Sequence, residues 1–171
     1  MSQNTHTDTA AEVSDIGKKL SGKYLTFILG DEEYGLEILK VQEIIQMQKI
    51  TKVPKAPEFV RGVINLRGKV IPVIELRAKF CMASQEDTDK TCIIVVQIES
   101  KGNPVTMGII IDEVKEVLDI KPDEIEEAPT FGSSIDTDFI MGIGKLGENV
   151  KMLLDIQRVL SGNEVDMLSN M

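Results

Sequence analysis

Apolar and polar residues alternate along this chain in short runs that end at turn-forming clusters, the pattern of a β-rich fold. Lys23–Leu29 and Tyr34–Ile38 flank Gly30-Asp31-Glu32-Glu33 and predict a first hairpin. Val60–Leu66 and Lys69–Leu76 flank the short turn Arg67-Gly68 and predict a second. Cys92–Glu99 and Val105–Ile111 lie either side of Lys101-Gly102-Asn103-Pro104, and Phe139–Leu146 and Asn149–Asp155 either side of Gly147-Glu148. Pro72 cannot donate to a ladder, so its strand is expected to be at an edge or a bulge there. Short helical turns are expected at Leu39–Ile45 and Leu76–Phe80, and Ile156–Leu160 is expected to open a C-terminal helix interrupted near Gly162. Residues 1–22 read as a mobile tail, weakly helical at most, and 161–171 as a second tail of helical tendency.

The pattern also repeats. Tyr34–Ile45 aligns with Met107–Leu118, Ala56-Pro57-x-Phe59 recurs as Ala128-Pro129-x-Phe131, and Phe59–Leu76 aligns without gaps onto Phe139–Ile156. Matches in one order argue for a duplication into two similar β-units, over about 23–80 and 90–158. Gly35, Gly62, Gly108 and Gly142 fall inside strand patterns, where glycine marks a sharp bend or a close backbone approach, and bends favour small barrels. Units of about 65 residues are marginal alone, so the two are expected to pack intimately around a groove.

Composition narrows the function. Apolar residues make up 42% of the 171 residues, enough for a core. No run approaches the roughly 18 apolar residues of a membrane span, and the N-terminus lacks the apolar segment of a signal peptide. The expectation is a soluble cytoplasmic protein. The net charge of −9 opposes phosphate binding, aromatics are 4% and there is no Trp, so nucleic-acid binding is disfavoured. The eight Lys and Arg of residues 49–79 form a basic stretch, either a solvated face or a docking surface. Cys81, Cys92 and the single His6 are too few for a structural zinc site, and two buried free thiols are the simplest reading. There is no P-loop, and Gly142-Ile143-Gly144 lacks the third glycine and the strand–helix context of a dinucleotide site. Carboxylates such as those of Asp123–Glu127 sit in charge-rich, solvated stretches. An enzyme using paired carboxylates stays a rival, but the pattern favours a protein that works by binding other proteins, with no cofactor.

Two segments carry a resemblance. Leu29-Gly30-Asp31-Glu32-Glu33-Tyr34-Gly35-Leu36-Glu37-Ile38-Leu39-Lys40-Val41-Gln42-Glu43-Ile44 and Phe59-Val60-Arg61-Gly62-Val63-Ile64-Asn65-Leu66-Arg67-Gly68-Lys69-Val70-Ile71-Pro72-Val73 are similar to the bacterial chemotaxis coupling proteins, the CheW-like adaptors. The likeness runs from about Lys23 to Leu160. It implies a mainly β fold of two packed five-stranded SH3-like barrels with short helices and a C-terminal helix. It implies an adaptor without enzymatic activity, binding the cytoplasmic tip of chemoreceptors and the regulatory domain of a histidine kinase. Such an adaptor is cytoplasmic and recruited to membrane receptor arrays, without inserting in the membrane. An adaptor of a non-flagellar chemosensory pathway is the alternative within that class. The phospho-regulated coupling form carries a receiver domain, for which 171 residues leave no room.

Carried over by position, the resemblance assigns Val41, Glu43, Gly62 and Arg67 to receptor coupling, and Cys92 and Phe131 to kinase contacts. The repeat weighs these assignments. Gly62 is matched by Gly142 and reads as a backbone requirement, while Glu43 is matched by Glu116. Arg67 is matched by Gly147, so the unit's fold does not require it and function is the better explanation. Glu43 and Arg67 are expected to lie close together. Val41 and Ile44 are expected to anchor a helical turn in the core. Phe131, after a Pro-bounded loop, is expected to be partly exposed.

Overall fold

The structure is a computed structural model that describes residues 15–129 and 138–160. Eleven strands and three short helices follow in the order α1 Asp15–Leu20, β1 Gly22–Leu29, β2 Glu32–Glu37, β3 Val41–Gln46, β4 Val60–Leu66, β5 Lys69–Glu75, α2 Leu76–Lys79, β6 Cys92–Ser100, β7 Asn103–Ile111, β8 Glu113–Ile120, β9 Ile125–Glu126, β10 Ile140–Leu146, β11 Asn149–Leu154 and α3 Ile156–Val159. Single 3-10 turns sit at Ile38–Lys40 and Pro122–Glu124. All four expected hairpins form. The third is tighter than expected, because Asn103 and Pro104 already pair with Ser100 and Glu99.

The strands make two sheets, β8-β1-β2-β11-β10-β9 and β3-β6-β7-β5-β4. The fold is therefore mainly β and in two parts, as expected, with a sixth strand, the two-residue β9, added to one sheet. Its counterpart in the other sheet is the isolated bridge between Thr51 and Val63.

The sheets do not correspond to the two sequence repeats. Hairpin β1–β2 of the first repeat joins β8, β10 and β11 of the second, and hairpin β6–β7 of the second joins β3, β4 and β5 of the first. The seams are the two parallel pairs, β2 beside β11 and β5 beside β7. In the observed pairing neither repeat closes its own sheet, so intimate packing of the two is built into the strand order. A cavity of about 730 Å³, lined by Gly30, Asp31 and Glu113 of one half and Arg77 and Met82 of the other, lies between the halves; elsewhere the largest apolar cluster fills the space. Leu25, Phe27 and Leu36 meet Ile94, Met107 and Ile109 there, with Ile74 and Leu154 from the seams, each 1% exposed or less. Burying such a side chain contributes about 1.5–3 kcal/mol. Smaller clusters fill each sheet's own concavity, around Ile64, Ile71 and Ile93 in one and Tyr24, Ile120 and Leu153 in the other.

Four expectations need correction. Cys81, expected as a buried thiol, is exposed, and Cys92 is only half-buried. Leu39–Ile45 is mostly strand: after one 3-10 turn, β3 runs along β6, and Ile44 is 43% exposed and not a core anchor. Its β-branched, alternating residues suit an edge strand better than a helix. Pro72 lies in an interior strand, but the parallel ladder of β5 with β7 begins at Val73, so no ladder bond is asked of its nitrogen on that side. The segment expected to be tail up to Gly22 includes α1. There Leu20 is buried in the cluster around Tyr24, Ile120 and Leu153, and its carbonyl accepts a 2.7 Å hydrogen bond from the Tyr24 hydroxyl.

Candidate functional site

The turn between β4 and β5 carries two residues of positive φ, Arg67 at 51° and Gly68 at 85°. That is the geometry of a tight hairpin turn that follows the right-handed twist of its strands. The Asn65 side chain steadies it, its Oδ1 accepting from the Gly68 amide at 2.8 Å. Left-handed backbone favours glycine, and the equivalent Gly147 (φ 66°) supplies one. Arg67 accepts the unfavourable conformation, and its guanidinium crosses from the turn to β3. There Nη1 donates to Glu43 Oε1 at 3.1 Å and Nη2 donates to Oε2, a bidentate pair. In strand order β3 and β4 are the two edges of this sheet, so the pair bridges its open ends.

The pair is a surface feature: the Arg67 side chain is 69% exposed and Glu43 31%. The hydrogen bonds from Arg67 hold the Glu43 carboxyl below the usual carboxylate range, and the same contact raises the Arg67 guanidinium. Exposed pairs of this kind add little to stability. What the geometry fixes is a planar charged unit at the corner of the sheet; Leu39, Ile44 and Val70 are exposed apolar side chains elsewhere on the same half. Val41 precedes Glu43 by a bulge at Gln42 and packs, half-buried, against the central cluster.

Gly62 is placed otherwise. It is buried in β4 at φ 151°, and a Cβ there would overlap the carbonyl oxygen of Thr51. That carbonyl accepts from the Val63 amide at 2.8 Å, and the Thr51 amide donates back to Val63 O at 2.9 Å. Gly62 therefore lets the loop after β3 lie on β4, a backbone role as its repeat in Gly142 suggests. Cys92 opens β6 opposite Gln46, three positions along β3 from Glu43, and packs half-buried against the central cluster. Burial pushes its thiol up, partly offset by a hydrogen bond with the Val114 backbone. Phe131 lies outside the described residues.

The structure thus joins Glu43 to Arg67, keeps Val41 on the same strand, and leaves Cys92 at the far end of β3. The three arginines of the basic stretch are paired with carboxylates where they stand. Arg61 Nε donates to Glu75 at 2.6 Å and its terminal nitrogens donate to Asp87 at 3.1 Å. Arg77 donates to Asp112 at 2.6 and 2.9 Å, to the Ala83 carbonyl at 2.9 Å and to Gln85. Lys79 sits 4.4 Å above the Phe59 ring. These arginines strap residues 83–87, between the repeats, onto the body. Burial pushes the Asp112 carboxyl up, but Arg77 and the Gly30 amide outweigh it and hold it below its usual value. Sequence reasoning missed this strap and the exposed Leu39. The test applied to Arg67 finds them: Arg61, Arg77 and Leu39 are matched in the second repeat by Met141, Gln157 and Asp112.

Among the described residues no helix is long and apolar enough to cross a membrane, and no cluster of His, Cys, Asp or Glu could hold a metal. The described residues form two sheets with exchanged hairpins that carry a small paired-charge surface. The family model for the CheW-like domain matches residues 23–164. The chain is 37% identical to the chemotaxis protein CheW of Klebsiella aerogenes over 154 residues, 90% of each protein. It is 36% identical to that of Bacillus subtilis over 143 residues, 83% of this chain and 88% of the other. The crystal structure of the scaffolding protein TtCheW from Thermoanaerobacter tengcongensis superposes with a TM-score of 0.74 at 36% identity, covering 85% of this chain and 96% of that one. The chain belongs to the CheW-like family of chemotaxis scaffold proteins.

Proposed function

We propose that this protein couples membrane chemoreceptors to a histidine kinase, binding the receptors' cytoplasmic tip through the Glu43–Arg67 surface and the kinase's regulatory domain elsewhere on the molecule. The observation that carries the reading is the asymmetry of the repeat. One hairpin turn bears an arginine in left-handed backbone and a bidentate partner, where its twin bears glycine. Lys101 takes the same left-handed backbone at the β6–β7 corner, so it is the bidentate partner, together with the strain, that supports a selected contact at Arg67. Val41 supports β3 from beneath and Gly62 sets the adjoining loop. Cys92, as a small half-buried hydrophobe, and Phe131 are proposed kinase contacts. The mechanism is positional: an adaptor that holds receptor and kinase in one assembly lets receptor conformation bias kinase activity.

The test is reconstitution. Receptor-containing membranes, kinase and this protein are combined, and autophosphorylation is followed with each component left out in turn. Stimulation that needs both receptor and adaptor, and is lost with Glu43→Lys, is the expected outcome. Kinase activity indifferent to the adaptor, or an unaffected Glu43→Lys, would overturn the reading.

A further inference from the structure

The exchange of hairpins raises a question of pairing. In one seam Gly35 lies opposite Leu153 and Leu36 opposite Leu154; in the other Gly108 lies opposite Val73 and Ile109 opposite Ile74. Under the sequence repeat these are the same positions in the same register. Over these layers backbone and apolar packing would accept β2 beside its own repeat's β5, and β7 beside β11, although Pro72 stands in β5 where β11 has Met152 in the ladder.

One layer breaks the degeneracy. Glu33 lies opposite Lys151, and Lys151 Nζ meets Glu33 Oε1 at 2.5 Å with the lysine side chain only 5% exposed. The equivalents are Thr106 and Ile71. Ile71 is 1% exposed within an apolar cluster, and the Thr106 hydroxyl accepts from Lys69 Nζ at 3.2 Å. If each hairpin joined its own repeat, the Glu33 carboxylate would face Ile71 and exchange a buried lysine for Lys69, whose Nζ reaches the Thr106 position at 3.2 Å, so the charge left stranded is that of Lys151. The Lys151 ammonium would be left with a hydroxyl in place of a carboxylate. A buried ion pair adds little net stability over apolar residues of similar size, but separating its members strands charge away from water. Its natural use is to choose between alternatives of equal shape.

We propose that the Glu33–Lys151 pair is a pairing lock: it commits hairpin β1–β2 to the second repeat's β11 and excludes the otherwise equivalent place beside β5. The reading does not depend on receptor coupling. The test copies the neutral seam into the charged one. Full-length E33T/K151I is unfolded in urea, refolded, and its strand neighbours are read by backbone nuclear Overhauser contacts. The lock predicts a second set joining 34–36 to 72–74, at about a tenth or more of the native intensity, the range of a competing minor state. The exchanged-charge variant E33K/K151E retains a single set. A single native set in E33T/K151I, joining 34–36 only to 152–154, would overturn the proposal. Should E33T/K151I not fold, E33Q/K151M is read the same way, and failure of both to fold means that the pair serves stability and the lock is refuted.

Discussion

The two sheets of this protein are built on one plan and differ in what they display. Both have a four-residue hairpin corner, a bulged edge strand and a buried glycine under a neighbouring loop. Yet the corner of one is Leu66-Arg67-Gly68-Lys69 and of the other Leu146-Gly147-Glu148-Asn149. On the edge strands, Glu43 in β3 is bound by Arg67, while its twin Glu116 in β8 is exposed. A duplicated fold provides its own control. What the halves share is the cost of folding, and what they do not share is a record of function.

The first way to strain that comparison is at the shared glycines. Gly62 combines left-handed backbone with the Thr51 carbonyl in the space of a Cβ, whereas a Cβ on Gly142 would sit 3.1 Å from the Glu126 carbonyl oxygen and the Leu20 side chain. Gly62→Ala is expected to cost about 2–4 kcal/mol in urea unfolding, and Gly142→Ala about 1 kcal/mol. Equal losses would show that Gly62 is no more constrained than its twin.

The next largest effect belongs to the strap. Arg77→Ala removes the partner of half-buried Asp112 and frees residues 83–87. With solvent access discounting the charge, the loss is about 1–2 kcal/mol. Cleavage between the repeats by a broad-specificity protease should rise with it. The sign of its pH dependence follows from Asp112, whose carboxyl is held below its usual value in the folded state. That stabilisation is complete above the usual aspartate range and lost as pH falls through the lowered value. The difference in stability between wild type and Arg77→Ala should therefore shrink on acidification.

Smaller effects on folding are expected at the corner itself. Arg67→Gly gives the turn the residue its backbone favours, so the unfolding midpoint should hold or rise while receptor affinity falls. The reciprocal Gly147→Arg should lower the midpoint slightly and gain no receptor binding. A carboxyl-detected titration sharpens this further. Glu43 should titrate below an ordinary glutamate in the wild type and return to the ordinary range in Arg67→Ala. An unchanged Glu43 would mean that the pair is not formed in solution.

Much of this was legible in the sequence, for identifiable reasons. Hairpins announce themselves by alternation and turn residues, so β4–β5 and β10–β11 were placed to within a residue. Arg67 stands out because its twin is Gly147, and its place at the tip of a two-residue turn, with the resemblance, points to Glu43 as its partner. The exchange of hairpins is not legible, because both pairings satisfy the same alternation of apolar residues and differ only in single layers such as Glu33–Lys151 and Pro72 against Met152. β3 was taken for a helical turn because Val41, Ile44 and Ile45 fit helical spacing as well as a strand interrupted by a bulge. β8 went unread because its edge alternates charge with only moderate apolarity. The strap was missed because Arg61 and Arg77 find partners far along the chain, which no local pattern reveals.

The central claim is that Glu43 and Arg67 act as one unit on the receptor. A double-mutant cycle on receptor affinity tests it directly, using Glu43→Lys, Arg67→Glu and the two combined, with folding checked by urea unfolding. Each single reversal should abolish measurable coupling in a folded protein, and the combination should recover part of the affinity. A coupling energy indistinguishable from zero, with the double variant showing the sum of two independent losses, would contradict the account.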